Sequence, residues 1–470
     1  MSPAPDQTHA HARDRARSYK NLNAARREAA NTTNYDSATT RATLIRIFRE
    51  RFGADPRDWQ LDVAEAILLG LDSVVIAGTG AGKTIPFMLP LLLDEKKKVV
   101  VISPLKVLQE DQADRFKKLK LAAVAVNGDT WDHDLATGLK EGRYQGVLAS
   151  PEMCLKHAEF RQILTSDFDD ICAVIVDEAH CIAQWGGDFR TAYSELGKLR
   201  SFFPPNIPIL ATSATLNPRS LREVRSQLGI DADDAFYLNL GNDRPNIAYS
   251  AIQINSADDY DALRPLLTRF ADPSEASKPD DMVKTIVFVN AVQPAQVGAR
   301  TVRSWFAPDL RKYVDYLYAY RTRHAKRRAM QRFRKGETRI LIATEAAGMG
   351  ADIPDIEQVI QFGVPSSLSV WIQRAGRAGR SPHIKARAIL LYEKSMFETQ
   401  KTRKKKRGAK DNPVTDSEGE EDNIEEVEGA GVEEVDVEAG PNDTCVEDVS
   451  EEVPGDNVDH DGEVSDEDNG

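Results

Sequence analysis

The sequence predicts an α/β protein with two units, each a parallel β-sheet covered by helices on both faces. Short, nearly continuous runs of Val, Ile, Leu and Ala alternate with helical stretches in two successive series along the 470 residues. Runs without polar alternation are typical of strands buried on both faces of a parallel sheet. The first series contains a glycine-rich loop with Lys-Thr, and the second contains none. This asymmetry predicts one nucleotide held between the two units.

The first unit is predicted over residues 41–238. Amphipathic helices are expected at Thr43–Phe52 and Leu61–Leu71, because apolar residues recur there with a helical period. The candidate strands are Val74–Ala77, Val99–Ser103, Ala123–Asn127, Gly146–Ala149, Ala173–Val176 and Ile209–Thr212. Residues 239–256 contain Gly241 and Pro245, and we interpret them as a loop that joins the two units.

The second unit is predicted over residues 257–398. The candidate strands are Thr285–Asn290, Tyr316–Tyr320, Ile340–Thr344, Gln358–Phe362 and Ala386–Tyr392. Residues 1–40 lack a sustained apolar period, so they are expected to be mostly disordered, with room for a short basic helix. Residues 399–470, basic and then acidic, are expected to be disordered because they cannot bury enough apolar surface.

The charge is divided unevenly along the chain. The net charge is −13, but residues 411–470 contain 25 acidic residues and no Lys or Arg. The preceding 410 residues therefore carry 49 acidic against 61 basic residues, a net charge of +12. A basic body with an acidic tail suits a protein that binds polyanions and carries a tethered competitor. The basic run at residues 401–407 is a candidate nuclear localisation signal or a phosphate-binding patch.

Cysteine spacing and hydropathy exclude several classes of protein. Cys154, Cys172, Cys181 and Cys445 form no Cys-x-x-Cys pair, so we expect no zinc and reduced thiols inside a cell. The N-terminus lacks the apolar core of a signal peptide, and no apolar run reaches about 18 residues. We therefore expect neither secretion nor a membrane partner.

The strongest motif is a phosphate-binding loop between a strand and an apolar run at Ile85–Leu93. Glycines let backbone N–H groups turn toward a polyphosphate, and a helix N-terminus adds positive charge. In this interpretation Lys83 reaches the β- and γ-phosphates, and the Thr84 hydroxyl holds Mg²⁺. The alternative is an ordinary glycine turn, which Lys-Thr in this context disfavours. The loop comprises Gly78, Thr79, Gly80, Ala81, Gly82, Lys83 and Thr84.

An acidic pair follows the strand predicted at Ala173–Val176. Asp177 can meet a Mg²⁺ ion held by Thr84, and Glu178 beside it can orient the attacking water as a general base. A lone acidic pair at a strand end is usually only solvated. Its position after a buried strand, about a hundred residues beyond a phosphate loop, favours catalysis instead.

An arginine-rich segment, Gln373–Arg380, is the second strong motif. Its three arginines, Arg374, Arg377 and Arg380, recur every third residue, which predicts that they share one face of a helix. Planar guanidinium groups suit bidentate contact with a γ-phosphate, so Arg377 and Arg380 are expected to complete the site from the second unit. The alternative is a solvated basic helix.

Aromatic residues directly follow the acidic pair. The segment after the acidic pair contains Gln184, Trp185, Phe189 and Arg190, together with three further polar or glycine positions. This composition is not the pattern of a core strand. Rings and an arginine on an exposed loop can stack on unpaired bases. The alternative is a loop that packs Trp185 into the core.

Together these motifs resemble a superfamily 2 helicase, specifically the RecQ family of DNA helicases, over about residues 44–395. The run from Asp177 to Arg190 is similar to the acidic box and aromatic-rich loop of that family. Asp243 to Asn246 resembles the joint between its two RecA-like domains. The segment Gly348–Asp352 resembles its fifth motif, and Gln373–Arg380 resembles its sixth.

The resemblance implies two tandem RecA-like domains and further site residues. Arg57 and Gln60 would recognise adenine, and Gly350 and Asp352 would contribute to the nucleotide site. Gln373 would act with Arg377 and Arg380 in catalysis. Contacts to the nucleic acid strand are implied for Ser103, Pro104, Leu105, Ser150 and Pro151, together with Gln184, Trp185, Phe189 and Arg190.

The implied activity is ATP- and Mg²⁺-dependent 3′-to-5′ movement on single-stranded and forked DNA in recombination and repair. We expect a nuclear monomer whose acidic tail binds protein partners. Two alternatives remain: an RNA helicase of related type, and a remnant that binds nucleic acid with little unwinding. The sequence also departs from the family. Nothing after Glu398 resembles its zinc-binding, winged-helix or HRDC modules, and Tyr318-Ala319-Tyr320 stands where Tyr-His-Ala-Gly is expected.

Overall fold

Three helices open the part of the chain that the structure describes. The computed structural model describes residues 6–104, 106–184, 195–318, 320–344, 353–381 and 383–397. The opening helices are α1 (Asp6–Thr33), α2 (Ser37–Phe52) and α3 (Asp58–Leu68). Asp36 caps α2 by accepting hydrogen bonds from the N–H groups of Ala38 and Thr39, and Gly53 ends it in a left-handed conformation.

The first domain contains a seven-stranded parallel sheet in the order β3-β4-β2-β5-β6-β1-β7. Its strands are β1 (Ser73–Ile76), β2 (Lys98–Ile102), β3 (Ala123–Val126), β4 (Gly146–Ala149), β5 (Ile171–Val176), β6 (Ile209–Ser213) and β7 (Phe236–Asn239). Its helices are α4 (Ile85–Met88), α5 (Lys106–Lys118), α6 (His133–Lys140), α7 (Pro151–Lys156), α8 (Ala158–Gln162), α9 (Cys181–Gln184) and α10 (Pro218–Leu228).

The first sheet is buried on both faces, as its unalternating strands predict. Val74 and Ile76 of β1 belong to one apolar cluster, and Val75 belongs to the other. The side chains of a strand alternate between the two faces, so each face needs its own apolar set. All six predicted strands are present in the first domain; the seventh, β7, was not predicted.

The second domain contains a six-stranded parallel sheet in the order β10-β11-β9-β12-β13-β8. Its strands are β8 (Ile247–Ile254), β9 (Thr285–Val289), β10 (Val314–Leu317), β11 (Ile340–Ala343), β12 (Gln358–Phe362) and β13 (Ala386–Glu393). Its helices are α11 (Val292–Trp305), α12 (Arg323–Arg334) and α13 (Leu368–Ala375). The two parallel sheets confirm the predicted fold class.

The joint between the domains is more ordered than the sequence predicts. Residues 239–256 were interpreted as a loop, but they include the whole of β8, which pairs with β13 over eight residues. Only Ile247 and Ile254, at the two ends of β8, are buried. An edge strand with six exposed residues lacks a continuous apolar run, so its sequence does not indicate a buried strand.

The N-terminal segment also differs from the prediction, because most of it is the 28-residue helix α1. This helix covers the outer edge of the first sheet. Its Ser18 hydroxyl accepts a hydrogen bond from the backbone N–H of Tyr237 in β7 at 3.0 Å, and Leu22 is fully buried. The ring of Tyr19 packs edge-on against Phe236 with centroids 5.6 Å apart. The contacts with β7 therefore hold α1 in place, and α1 needs no sustained apolar period of its own.

A buried polar cluster connects α1 and α2 to α3. Asp62 and Glu65 of α3 are both buried. Arg41 of α2 donates to Asp62 at 2.8 Å and to Glu65 at 2.7 Å. Arg26 of α1 also pairs with Glu65, and Tyr19 donates to Asp62 at 2.8 Å. Two buried carboxylates are thereby paired, as burial of charge requires. We call these residues the α3 clamp.

No helix in the described residues is long and apolar enough to cross a membrane. The predicted disorder of residues 399–470 lies outside the described residues and remains a prediction.

Candidate nucleotide site between the two domains

The phosphate loop connects β1 to α4 at the carboxyl edge of the first sheet. Gly80 and Gly82 adopt φ values of 83° and 86°, which residues with a side chain rarely adopt. The Lys83 ammonium donates to the carbonyl oxygens of Ala77 at 2.8 Å and Gly78 at 3.4 Å. Burial lowers the pKa of Lys83, an effect that the carboxylates of the acidic pair oppose. Lys83 therefore lies in the cradle itself.

The helix after the loop is shorter than the sequence predicts. The α-helix α4 has four residues, and a 3₁₀ turn, Leu89–Leu92, continues the run that was predicted as one helix. Pro90 lacks the N–H group that a continuous α-helix would use, which explains the change. A four-residue helix has little macrodipole, so the backbone N–H groups of the loop provide most of the cradle.

Gln60 is held against the phosphate loop. Its side-chain oxygen accepts from the backbone N–H of Arg57 at 2.8 Å, and its amide nitrogen donates to the carbonyl of Gly82 at 3.1 Å. A Cβ atom at Gly82 would lie 2.7 Å from that nitrogen. Gly82 is therefore required both for its backbone conformation and for this close approach. In this structure the predicted adenine-recognising amide supports the loop and is buried.

The acidic pair lies where β5 ends, one strand away from the phosphate loop across β6. Asp177 is buried and accepts from Gln112 at 2.6 Å and from the Thr212 hydroxyl at 2.7 Å. Burial, and then the neighbouring Glu178 charge, raises the pKa of Asp177. Parallel strands end at the same sheet edge, so β1 and β5 bring Lys83 and Asp177 together as predicted.

Glu178 is held in an uncommon conformation. Its φ of 52° lies in the left-handed region, which costs a residue other than glycine about 1 kcal/mol. Burial would raise the pKa of Glu178, but the hydrogen bond and charge of His180 hold it below its ordinary value. The carboxylate is therefore ionised near neutral pH, as a general base must be. Strain at a reactive position is typical of active sites.

His180 connects the acidic pair to two further segments. Its Nδ1 lies 3.2 Å from Glu178 and 3.0 Å from the Ser213 hydroxyl, and its Nε2 lies 3.1 Å from the side-chain nitrogen of Gln373. Burial would lower the pKa of His180, but its contacts with Cys181 and Glu178 raise it to about 10. Gln373 belongs to the second domain, so this ring lies at the boundary between the two domains.

The arginine segment does not form the predicted helical face. The helix α13 ends at Ala375, so Arg377 and Arg380 lie in the turns beyond it. Arg374 is on the helix but is buried, and it donates to Gln361 at 2.7 Å inside the second domain. The prediction that three arginines share a face is therefore wrong, because glycines after α13 end the helix. Arg377 and Arg380 do line the cleft.

The cleft itself has a volume of about 510 Å³. It brings together Lys83, the acidic pair, Arg377 and Arg380. It also contains residues that the sequence interpretation did not assign to any site, among them Phe52, Arg115 and Lys118. Phe52 is half exposed and stacks on Phe48 with ring centroids 4.9 Å apart. An exposed ring at the end of an amphipathic helix was visible in the sequence, but nothing there connects it to the loop.

Arg244 in the joint connects both sides of the cleft. Its guanidinium donates to the carbonyl of Thr79 in the phosphate loop and to the carbonyl of Gly379 in the arginine segment, each at 2.6 Å. Asn246 also donates to Gly379, at 2.7 Å. Burial lowers the pKa of Arg244, but the group remains charged at any pH a protein tolerates. One side chain thus contacts both halves of the site.

The predicted strand-contacting residues are only partly described. Ser103 and Pro104 are buried where β2 ends, and Ser150 caps α7 by accepting from the N–H of Met153 at 3.3 Å. Pro151 is buried in the first turn of α7. Of the other predicted strand contacts, Leu105, Trp185, Phe189 and Arg190 lie outside the described residues, and the side chain of Gln184 is not described. Gly350 and Asp352, which were predicted to belong to the nucleotide site, also lie outside the described residues.

Comparison with known proteins adds two family matches. Residues 57–224 match the DEAD/DEAH box helicase model, and residues 268–382 match the helicase conserved C-terminal domain. The first match contains the phosphate loop and the acidic pair, and the second contains Arg377 and Arg380. The two halves of the cleft therefore coincide with the two matched domains.

Individual relatives agree with this assignment. The ATP-dependent DNA helicase RecQ of Pasteurella multocida is 29% identical over 75% of this chain and 52% of its own length. The putative ATP-dependent RNA helicase R290 of Acanthamoeba polyphaga mimivirus is 28% identical over 72% of this chain and 58% of its own length. The chain thus spans little more than half the length of these relatives.

A solved structure supports the fold alone. Dbp5 of S. cerevisiae, in a structure bound to RNA and ADP BeF3, has a TM-score of 0.59 and 20% identity, covering 77% of this chain and 90% of that one. Two RecA-like domains account for this likeness. The chain therefore contains a DEAD/DEAH box helicase domain and a helicase conserved C-terminal domain, and over these two domains it is similar to the RecQ helicases.

Proposed function

We propose that the chain is an ATP-dependent DNA helicase that couples ATP hydrolysis to movement along single-stranded DNA. The observation that carries this proposal is one cleft in which Lys83 and the acidic pair of the first domain meet Arg377 and Arg380 of the second. A site completed by two domains closes and opens with the nucleotide state, so hydrolysis can move one domain relative to the other.

The residues of the cleft fit ATP with Mg²⁺. Five cationic groups and three carboxylates line a cleft of about 510 Å³, a combination that suits a polyphosphate carrying a divalent cation. Lys83, Arg377 and Arg380 would hold the phosphates, and Thr84 and Asp177 would hold the metal ion. When bound, the ion would offset negative charge on the phosphates.

The chain's own groups have distinct roles in this proposal. The ionised Glu178 carboxylate orients the attacking water and accepts its proton. Arg377 and Arg380 stabilise the charge that develops on the transferred phosphoryl group. His180 contacts the Glu178 carboxylate and also Gln373 of the second domain. Closure of the cleft can therefore change the position of the general base through His180. Phe52 offers an apolar surface for the base of the nucleotide.

We further propose 3′-to-5′ movement, a role in recombination and repair, and nuclear localisation. The family supports the direction and the role, and the basic run at residues 401–407 supports nuclear entry. The partners would be single-stranded and forked DNA, with protein partners for the acidic tail. We also propose that the motor acts as a monomer, since the phosphate loop and the arginine segment belong to the same chain.

The test combines an ATPase assay with a fork-unwinding assay on the purified full chain. We expect ATP hydrolysis that single-stranded DNA stimulates, and displacement of one strand from a fork with a 3′ tail. A Lys83→Ala variant, whose fold is checked by circular dichroism, should lose both activities. Wild-type turnover in that variant would overturn the assignment of the phosphate loop.

An RNA helicase is the second candidate, because one relative carries that name. The same ATPase assay, repeated with single-stranded RNA in place of DNA, distinguishes an RNA helicase from a DNA helicase. Stronger stimulation by RNA than by DNA would favour the RNA activity. Strand binding without hydrolysis would instead indicate a remnant that binds nucleic acid.

A further inference from the structure

The outer edge of the second sheet carries an unusual combination of arginines and tyrosines. The edge strand is β10, and the surface around it comprises Arg303, Tyr316, Tyr318, Tyr320, Arg321, Arg328 and Arg332. We call this group the β10 edge surface. The arginines come from α11, from α12 and from the segment between β10 and α12, so three separate elements place guanidinium groups beside one strand.

The open edge of β10 is already occupied by side chains. Arg303 donates to the carbonyl of Val314 at 2.9 Å, and Arg332 donates to that of Lys312 at 2.9 Å. Arg321 donates to the carbonyl of Tyr316. These carbonyls point away from the sheet because they alternate with those that face β11. An added protein strand would have to displace all three arginines, so strand addition does not suit this edge.

The arginines leave an excess of positive charge. Arg303, Arg321 and Arg332 lie 3.7, 3.5 and 3.5 Å from a single buried carboxylate, Asp315. The only other carboxylate that pairs with them in the described part of the chain is Glu337, 4.0 Å from Arg332. Arg328 adds a fourth cationic group. Each guanidinium has five N–H donors, so a carbonyl and a shared carboxylate leave donors to spare.

A cavity lies beside this charge. Its volume is about 230 Å³, and Asp315, Arg321, His324, Arg328 and Arg332 line it. His324 and Arg328 are exposed on α12, whereas Asp315 is buried beneath them. A cavity with cationic walls suits a phosphate group better than an apolar or cationic ligand.

The tyrosines give the same surface stacking capacity. The rings of Tyr316 and Tyr318 are stacked at 5.8 Å with an interplanar angle of 7°. The guanidinium of Arg321 lies 4.9 Å from the Tyr316 ring, and that of Arg303 lies 5.7 Å from it. Tyr320 lies in the turn beyond β10, beside Arg321 in the sequence, and is 86% exposed. Aromatic rings beside a cationic groove are what unpaired bases and their phosphates require.

We propose that the β10 edge surface binds single-stranded nucleic acid, with Tyr320 stacking on a base and Arg328 contacting a phosphate. The surface is separate from the ATP cleft, and its charges come entirely from the second domain. It would hold a strand in addition to the contacts that the motor makes during its cycle. It does not depend on hydrolysis, so it is testable without nucleotide.

The test is equilibrium binding of labelled single-stranded DNA and RNA to the full chain, measured across a salt series without ATP. The double variant Tyr320→Ala with Arg328→Gln leaves the three edge-capping arginines in place, so the fold should persist. We expect an affinity about tenfold lower, as loss of one stacked base implies. The slope of log affinity against log salt should fall by about 0.7 for the lost phosphate contact.

Two matched controls isolate the surface. The double variant Tyr320→Phe with Arg328→Lys keeps the ring and the charge, so it should bind within about twofold of the wild type. Arg387→Gln removes an exposed arginine from β13, on the far side of the sheet, and should change little. Basal ATPase should be unchanged in all three variants.

Either of two results would overturn the proposal. One is an unchanged affinity and salt slope in the Tyr320→Ala, Arg328→Gln variant. The other is an equal loss in the Arg387→Gln control, which would indicate only a general effect of charge. Because binding is read without nucleotide, a chain that does not hydrolyse ATP would still report on this surface. Comparison of the DNA and RNA arms identifies which strand the surface prefers.

Discussion

Glu178 allows a sharp test of the chemistry at a single residue. A Glu178→Gln substitution keeps the shape of the side chain but removes the base that accepts the proton of water. We expect the maximal ATPase rate to fall by about 10²- to 10⁴-fold while ATP still binds. Phosphate release and binding of a fluorescent ATP analogue measure the two properties separately. Loss of nucleotide binding instead would show that Glu178 has a structural role.

Arg244 is expected to be a positioning residue, because it contacts the backbone on both sides of the cleft and no reacting group. An Arg244→Ala substitution removes two charge-assisted hydrogen bonds between the phosphate loop and the arginine segment. We expect the strand-stimulated ATPase rate to fall by about tenfold or more, with a small change in the KM for ATP.

Two variants separate this role from a general loss of stability. Asp243→Asn changes the exposed neighbour and should keep the wild-type rate. Arg244→Lys keeps the charge but loses the planar fork that reaches both carbonyls, so only partial recovery is expected. A fall in thermal stability that fully accounts for the rate loss of Arg244→Ala would argue against positioning.

Single residues could be predicted from the sequence where a local pattern fixes the chemistry. Lys83 and Asp177 follow strands of one parallel sheet, so their meeting at its edge follows from topology. Arg374 was misassigned because spacing of three residues indicates a helical face only where the helix continues. Phe52 was missed because its approach to the loop depends on tertiary packing.

The α3 clamp allows a test at the level of an element. Burial would raise the pKa of Glu65, but hydrogen bonds from Arg26, Ser37 and Arg41 lower it below 4.5. A lowered pKa in the folded state means that the ionised group stabilises the fold above pH 4.5. That contribution is lost as the pH falls through the folded value.

A Glu65→Gln substitution should therefore destabilise the protein at pH 7 by about 2 kcal/mol, the scale of a hydrogen bond to a charged group. The difference in unfolding midpoint between variant and wild type should be nearly constant well above pH 4.5 and should shrink as the pH falls below 4.5 toward the lowered pKa of Glu65 in the folded state. Urea titrations at several pH values measure it. Glu28→Gln on exposed α1 is the control and should show no such trend. A gap that is independent of pH would contradict the role given to the Glu65 charge.

Strands and helices could be predicted from the sequence where the burial of apolar side chains stabilises them. Eleven of the thirteen strands overlap a predicted strand, although β10 was predicted at Tyr316–Tyr320 and lies at Val314–Leu317. The edge strands β7 and β8 and the helix α1 were not predicted. Six of eight residues in β8 are exposed, and α1 is held by hydrogen bonds to β7 and by the α3 clamp. Contacts between residues that are far apart in the chain do not produce a recognisable pattern in the local sequence.

Over the whole molecule, the division of charge is the property with the largest expected effect on binding. The acidic residues from position 411 onward are tethered to a body with a net charge of +12. A tethered polyanion can compete with the phosphates of a nucleic acid for cationic surfaces, among them the β10 edge surface. Salt weakens both interactions, so the competition should be strongest at low ionic strength.

Deletion of residues 411–470 should therefore tighten binding of single-stranded DNA. The removed segment contains only acidic charged residues apart from His460, and it leaves the basic run at residues 401–407 in place. Nuclear entry should consequently be unchanged. The measurement is a salt series of single-stranded DNA affinities for the full chain and the truncated chain, from about 0.01 M, where the Debye length is about 30 Å, to about 1 M, where it is about 3 Å. The two affinities should converge as salt rises, because screening removes the attraction between the tail and the body. Equal affinities across the series would show that the tail does not mask a cationic surface, and would favour a role in binding protein partners.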